Sequence, residues 1–255
     1  MVLLHGLNNS AWIWARVGSI LSSSHHVVAI SQRGHGGSSA PSHGYSLDDT
    51  TQDLLAALDA LGLEKVHLAG HSWGGKVATH FAAHQPDKVC TLTLADPVPP
   101  QGLNRVLIAV PQLLDAAYRA ERGPFDSLDR LVSQKSTFVQ YPRQDELDLR
   151  VWLSNFRTDD DGRWHHFLPQ GGFDEIVSQA LPEDITGLLT RITAPVLLLL
   201  PTFTVSFLPG EVGPFRRRIA NLTVRRIWGD HAFVHSNCID TARQWEAWMA
   251  NHCRV

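Results

Sequence analysis

Six short apolar runs constrain this chain more than any other feature of its sequence. They read MVLLH (1–5), HVVAIS (26–31), KVHLAG (65–70), CTLTLA (90–95), APVLLLL (194–200) and LTVRRIW (222–228). Strands with one face in water alternate apolar and polar residues, whereas near-continuous apolar strands belong to a parallel sheet covered on both faces. Helical patterns fill the gaps. Ser46 and Asp49 have the spacing of a capping box, Leu54, Leu55, Leu58 and Leu61 make one face, and Gly62 ends the helix. A second helix is expected over 73–84, stopping before Pro86, and a last one with Ile239, Ala242, Trp245 and Met249 on one side. The alternation predicts an α/β fold with a doubly wound, mainly parallel sheet.

The rhythm fails between about 100 and 190. LNRVLIAVPQLLDAAYRA, FDSLDRLVSQ, DELDLRVWLSNF and FDEIVSQALPEDITGLLTR read as helices with no strong buried strand among them. The expected organisation is a core of residues 1–99 and 191–255, with a helical cap of residues 100–190 inserted after the strand that ends at Asp96. Such a cap would lie over the carboxyl ends of the strands, where sheets of this kind bind ligands. A length of 255 residues suits one domain carrying an insertion.

A net charge of -3 gives no electrostatic reason for a nucleic-acid or acidic-membrane partner. The longest apolar run, Pro195 to Pro201, is far short of the roughly 20 residues a membrane helix needs. MVLLHG lacks the basic start and cleavage site of a signal peptide. Cys90, Cys238 and Cys253 have no C-x-x-C spacing, so no zinc or redox motif is indicated, and their odd number favours a reducing, cytoplasmic location. The histidine pairs 67/71 and 231/235 fall on a strand and a loop, which argues against a metal pair. No cofactor and no metal are expected.

Chemistry concentrates at Gly70-His71-Ser72-Trp73-Gly74, a G-x-S-x-G that follows the apolar run KVHLA and opens a helix. A serine hydroxyl is inert until a base takes its proton and donors await the oxyanion. In a sharp strand-to-helix turn, the serine stands above the sheet, and the glycines avoid collisions across the turn. One oxyanion donor is expected from the Trp73 amide. The other is expected from Leu7, which follows the strand Val2 to Leu4 and the flexible Gly6.

LLHG, RGHGGS (33–38), AGHSWGG and the helical insertion together resemble the α/β-hydrolase superfamily over essentially the whole chain. The likeness is to small esterases, C–C bond hydrolases and perhydrolase-like members. It implies a nucleophile, an acid and a histidine in that chain order. Ser72 matches the nucleophile. His231, just after Gly229-Asp230, matches the histidine, with His235 as fallback. The acid departs from the pattern: VLLLLPTFTVSFLPGE has no carboxylate until Glu211, and the resemblance to members that place their acid one strand earlier makes Asp96, at the end of TLTLA, the expected acid, the alternative being that it only caps the loop. Its carboxylate would accept from Nδ1 of the histidine and stabilise the imidazolium. Other departures are Ser31-Gln32-Arg33 where an acid often precedes the arginine, and the absence of a leading hairpin. A truncated chain, or a homo-oligomer protecting the exposed sheet edge, would account for the latter.

The resemblance implies a serine hydrolase acting on a small or medium carboxylic ester or lactone, its small-molecule substrate, through an acyl-enzyme. C–C bond cleavage would use the same residues. A second class is a cofactor-free dioxygenase acting on a heteroaromatic ring, in which the His231–Asp96 pair is the base and Ser72 only positions substrate. A third is a non-enzymatic scaffold that keeps the pocket. Trp12, Trp14, Trp73, Trp152, Trp164, Phe203 and Phe207 would either line the cleft or fill the core.

Overall fold

The computed structural model describes residues 1–101, 122–134, 145–204 and 212–252. The elements begin with β1 (Val2–Leu4), α1 (Ala15–Leu21), β2 (Val28–Ile30), α2 (Leu47–Ala60), β3 (Val66–His71), α3 (Trp73–His84) and β4 (Val89–Ala95). They continue with α4 (Leu128–Gln134), α5 (Glu146–Leu153), β5 (Phe156–Thr158), β6 (Trp164–His166) and α6 (Gln170–Glu175). The chain closes with β7 (Val196–Pro201), α7 (Gly213–Arg218), β8 (Leu222–Ile227), α8 (Phe233–Ser236) and α9 (Cys238–Met249).

Six strands form one sheet in the order β2-β1-β3-β4-β7-β8, and every pairing is parallel. The chain winds from β1 outward to β2, then returns to the other side of β1 with β3. The crevice at such a reversal is where open α/β sheets bind ligands. Leu4 pairs with Gly70, His71 with Ala95, and Ala95 with Leu199, so the carboxyl ends of β1, β3, β4 and β7 finish together. Among the described residues, the edge strand on that side is β2, since β1 lies between β2 and β3.

Alternate strand residues face opposite ways, and the core divides accordingly. Val196, Leu198 and Leu200 pack with Leu4, Leu68, Leu92 and Phe81 on one face; Leu197 and Leu199 pack with Leu3, Ala69, Trp14 and Trp245 on the other. Fully burying each such leucine contributes about 1.5–3 kcal/mol. Apolar residues on both faces explain why the runs looked continuous in sequence.

Helix α2 has the expected capping box, with Ser46 accepting from the Asp49 amide and Asp49 from the Ser46 amide. Gly62 (φ +65°) donates to Asp59, and Leu63 donates back to Leu58, which closes the helix end. Leu61, however, is 52% exposed: it sits at the C-cap, still helical in backbone, one turn beyond Leu58, the last buried residue of the helix. In α9, Trp245, Ala242 and Met249 are buried as expected, but Ile239 is 60% exposed and Cys238, Thr241 and Trp248 complete the buried face.

Between β4 and β7, the first expected helix (103–120) lies outside the described residues. The next two are present as α4 and α5. The fourth is broken into α6, a π turn (Ile176–Ala180) and a 3-10 turn (Thr186–Arg191), with Pro182 between the turns. An antiparallel hairpin, β5–β6, is an addition. Its loop 159–163 carries Gly162 at φ +78°. Phe125, Leu131, Trp152 and Phe156 join one core cluster, and Leu168, Phe173, Ile176 and Leu189 the other. The segment shares the cores of the sheet.

Trp14, Trp73 and Trp152 are core residues, Trp164 is half-buried, Trp12 and Phe203 are exposed, and Phe207 lies outside the described residues. Cys90 is disulfide-bonded, and Cys238 is buried and free. The cysteines therefore carry no argument for a reducing compartment. Among the described residues, no helix is long and apolar enough to cross a membrane.

Candidate active site

β3 delivers Ser72 into a turn at φ +54°, ψ -118°, and α3 starts at the next residue. A residue with a Cβ pays for such a backbone, and the surroundings must hold it there. They do so from both sides. The Ser72 amide donates to Ala95 O (3.1 Å), and Ser72 O accepts from Val98 (3.0 Å). A Cβ on Gly70 would lie 2.1 Å from Gly74 O, and one on Gly74 would lie 2.5 Å from both Leu4 O and His5 O. The motif glycines are thus places where main chains touch.

Asp96 follows β4 directly, at φ +39°, and is fully buried. Its amide donates to Leu199 O at 2.8 Å. His231 sits on the loop after β8. Its Nδ1 donates to Asp96 Oδ2 at 2.6 Å, which leaves Nε2 as the acceptor nitrogen of the ring. The other carboxylate oxygen, Oδ1, accepts from Thr204 Oγ1 at 2.6 Å.

Ser72 and His231 line one cavity of about 40 Å3 together with Gly6, Leu7, Asn9, Ile13, His71 and Ala232. The described contacts include no hydrogen bond between Ser72 Oγ and the His231 ring. Leu7 borders the cavity, and Trp73 is the first residue of α3, whose N–H has no intrahelical acceptor. Neither amide donates to a protein oxygen among the described residues.

The loop bearing Leu7 is fixed by a residue the sequence reading passed over. His5 is fully buried; its Nδ1 donates to Gly6 O (2.7 Å) and its Nε2 accepts from the Gln32 amide (2.9 Å). The Gln32 side chain returns a bond to His5 O at 2.7 Å. Burial, with His35 nearby, pushes the His5 pKa well below the ordinary value, so the ring is neutral. Gln32 stands in the segment that departs from the family pattern. His71 is buried as well: burial, then His231, push its pKa to about 3. Its Nε2 donates to His231 O at 2.7 Å, and the two rings lie 4.5 Å apart.

His235 does not reach the cavity. It is buried in α8, with Nε2 2.7 Å from Asp148 Oδ1 on α5. Arg16 donates to the same Asp148 oxygen at 3.1 Å and also pairs with Asp145. Glu211 lies outside the described residues. Among the described residues, no group of three His, Cys, Asp or Glu side chains is arranged to hold a metal ion.

Comparison with known proteins agrees with the fold. A family described as alpha/beta hydrolase fold matches residues 1–172. A fluoroacetate dehalogenase from Burkholderia sp is 38% identical over 104 residues, covering 39% of this chain and 34% of the dehalogenase. Epoxide hydrolase B of Mycobacterium tuberculosis is 33% identical over 164 residues, covering 60% of this chain and 44% of that enzyme. The matches thus span between a third and a half of these relatives' length. A marine microorganism esterase of known structure superposes with a TM-score of 0.81 at 23% identity, over 96% of this chain and 93% of its own.

Proposed function

The chain belongs to the alpha/beta hydrolase fold family, and from that premise we propose that it is a serine hydrolase cleaving small or medium carboxylic esters or lactones through an acyl-enzyme. The observation that carries this reading is the 2.6 Å bond from His231 Nδ1 to buried Asp96, with the ring bordering the same cavity as Ser72. Ser72 Oγ attacks the carbonyl. His231 Nε2 takes its proton and later returns it to the leaving group, while Asp96 holds the tautomer and stabilises the imidazolium. The amides of Leu7 and Trp73 receive the oxyanion, the latter at the positive end of α3. Water then repeats the sequence on the acyl-enzyme. Catalytic hydrogen bonds are often long or poorly aligned before substrate arrives, so the lack of a Ser72–His231 bond among the described contacts is compatible with the role.

Residues 1–99 and 191–255 serve as the core in this reading, with residues 100–190 as the cap. All six strands of the main sheet fall in the former. The Asp148–His235 pair ties the cap to the segment just after His231.

A second reading is favoured by one observation: the Asp96–His231 pair is complete without Ser72. In it, the pair is a base for cofactor-free oxygenation of a heteroaromatic ring. An ester chain-length panel on wild type, Ser72→Ala and Asp96→Asn separates the two. Loss of turnover in both variants supports the hydrolase. Oxygen uptake on a hydroxyquinolone that survives Ser72→Ala supports the second.

A further inference from the structure

The exit of β7, Thr202-Phe203-Thr204, lacks the carboxylate that family resemblance would place there, yet it does not stand apart from the site. The Thr202 amide donates to Ile227 O (2.8 Å) and the Phe203 amide to Gly229 O (3.0 Å), which binds this segment to the loop that carries His231. Thr204 then turns its hydroxyl onto Asp96 Oδ1 at 2.6 Å.

Asp96 has particular need of that donor. It is fully buried, so each carboxylate oxygen that lacks a partner costs free energy. Its backbone lies at φ +39°, where a residue with a side chain is not held by local preference. The final torsion of an aspartate is broad, so packing alone sets the carboxylate plane weakly. With Thr204 on Oδ1 and His231 on Oδ2, the plane is fixed from both ends.

We propose that Thr204 is a positioning residue: its hydroxyl orients the Asp96 carboxylate so that Oδ2 meets His231 Nδ1. The proposal rests on the assignment of Ser72, His231 and Asp96 made above. A hydrogen bond to a charged partner is worth a factor of roughly ten to a hundred in rate when it acts in the transition state.

The test compares Thr204→Val, which keeps the shape and removes the donor, with Thr204→Ser, which keeps the donor. Ester kcat and KM are measured together with the downfield proton NMR signal of the His231–Asp96 hydrogen bond. The expected result for Thr204→Val is a kcat lower by about tenfold or more, a KM within about twofold, and a shifted or broadened downfield signal. Thr204→Ser should restore both. Wild-type kcat in Thr204→Val, or equal impairment in Thr204→Ser, overturns the proposal. Should Thr204→Val not fold, Thr204→Ala is read by the same criteria. Ser72→Ala run in parallel separates the two levels: if it keeps ester turnover, the serine reading fails, while the NMR signal still reports on Thr204.

Discussion

The ring of His71 holds the main chain of His231: its Nε2 donates to the carbonyl oxygen of His231 at 2.7 Å. The residue before the proposed nucleophile therefore holds the loop of its proposed base. Replacing it with leucine, similar in bulk and unable to donate, should lower ester kcat/KM by roughly tenfold. Steady-state kinetics on His71→Leu check this; unchanged kcat/KM would mean that the loop is held by its other contacts.

Asp148 and His235 make a second tie, between α5 and α8. Both are essentially fully buried, and Arg16 shares the carboxylate. Burial holds the His235 pKa below its ordinary value, so its ring donates to Asp148 as a neutral partner and the ion pair is Arg16–Asp148; removing one member of a buried ion pair costs about 3–5 kcal/mol. Asp148→Ala should therefore lower the free energy of unfolding by that amount, measured by urea unfolding followed by tryptophan fluorescence. A change under about 1 kcal/mol would show that the cluster is solvated on opening.

The motif glycines should differ sharply from turn glycines elsewhere. Gly74→Ala forces a methyl to within 2.5 Å of two carbonyl oxygens of fixed main chain, so the folded protein should be lost or strongly destabilised. Gly62→Ala meets nothing within 4 Å and carries only the strain of φ +65°, about 1 kcal/mol. Soluble yield and melting temperature of the two variants read the contrast.

Several buried histidines set an acid limit to stability. Burial lowers the pKa of His35 to about 4 and of His71 to about 3, and places His5 and His166 well below the ordinary 6.5. The unfolded chain then binds more protons than the folded one, so the contribution of these rings is complete above about 6.5 and is lost as pH falls toward the folded values. Melting temperature should fall steadily from pH 7 to pH 5, and His35→Gln should flatten the slope. A melting temperature independent of pH in that range would contradict the neutral assignment.

Much of the fold was legible because its strands are buried on both faces, which writes a continuous apolar run into the sequence. The sharp turn around Ser72 was legible for a local reason too: strand, turn and helix lie within one short stretch. Helix faces were misread at their ends, where periodicity was extended into the cap at Leu61 and the first turn at Ile239. The β5–β6 hairpin went unseen, although its Asp161-Gly162 pair is a turn signal, because each strand has 3 residues, too few to show a period of two. The supports of the site were not legible at all. His71 meets a carbonyl 160 residues away, Thr204 a carboxylate 108 residues away, and Gln32 an imidazole 27 residues away. Such contacts leave no spacing to read in a single sequence.

The central claim is that the Ser72 hydroxyl is made nucleophilic by the His231–Asp96 pair. Mass spectrometry of the Ser72 peptide after brief treatment with a fluorophosphonate measures this directly. The account predicts a single phosphonyl adduct on Ser72, formed at least about a hundredfold more slowly in His231→Ala and markedly more slowly in Asp96→Asn. A folded protein that hydrolyses esters while Ser72 stays unmodified, or that labels equally fast without the imidazole, would contradict it.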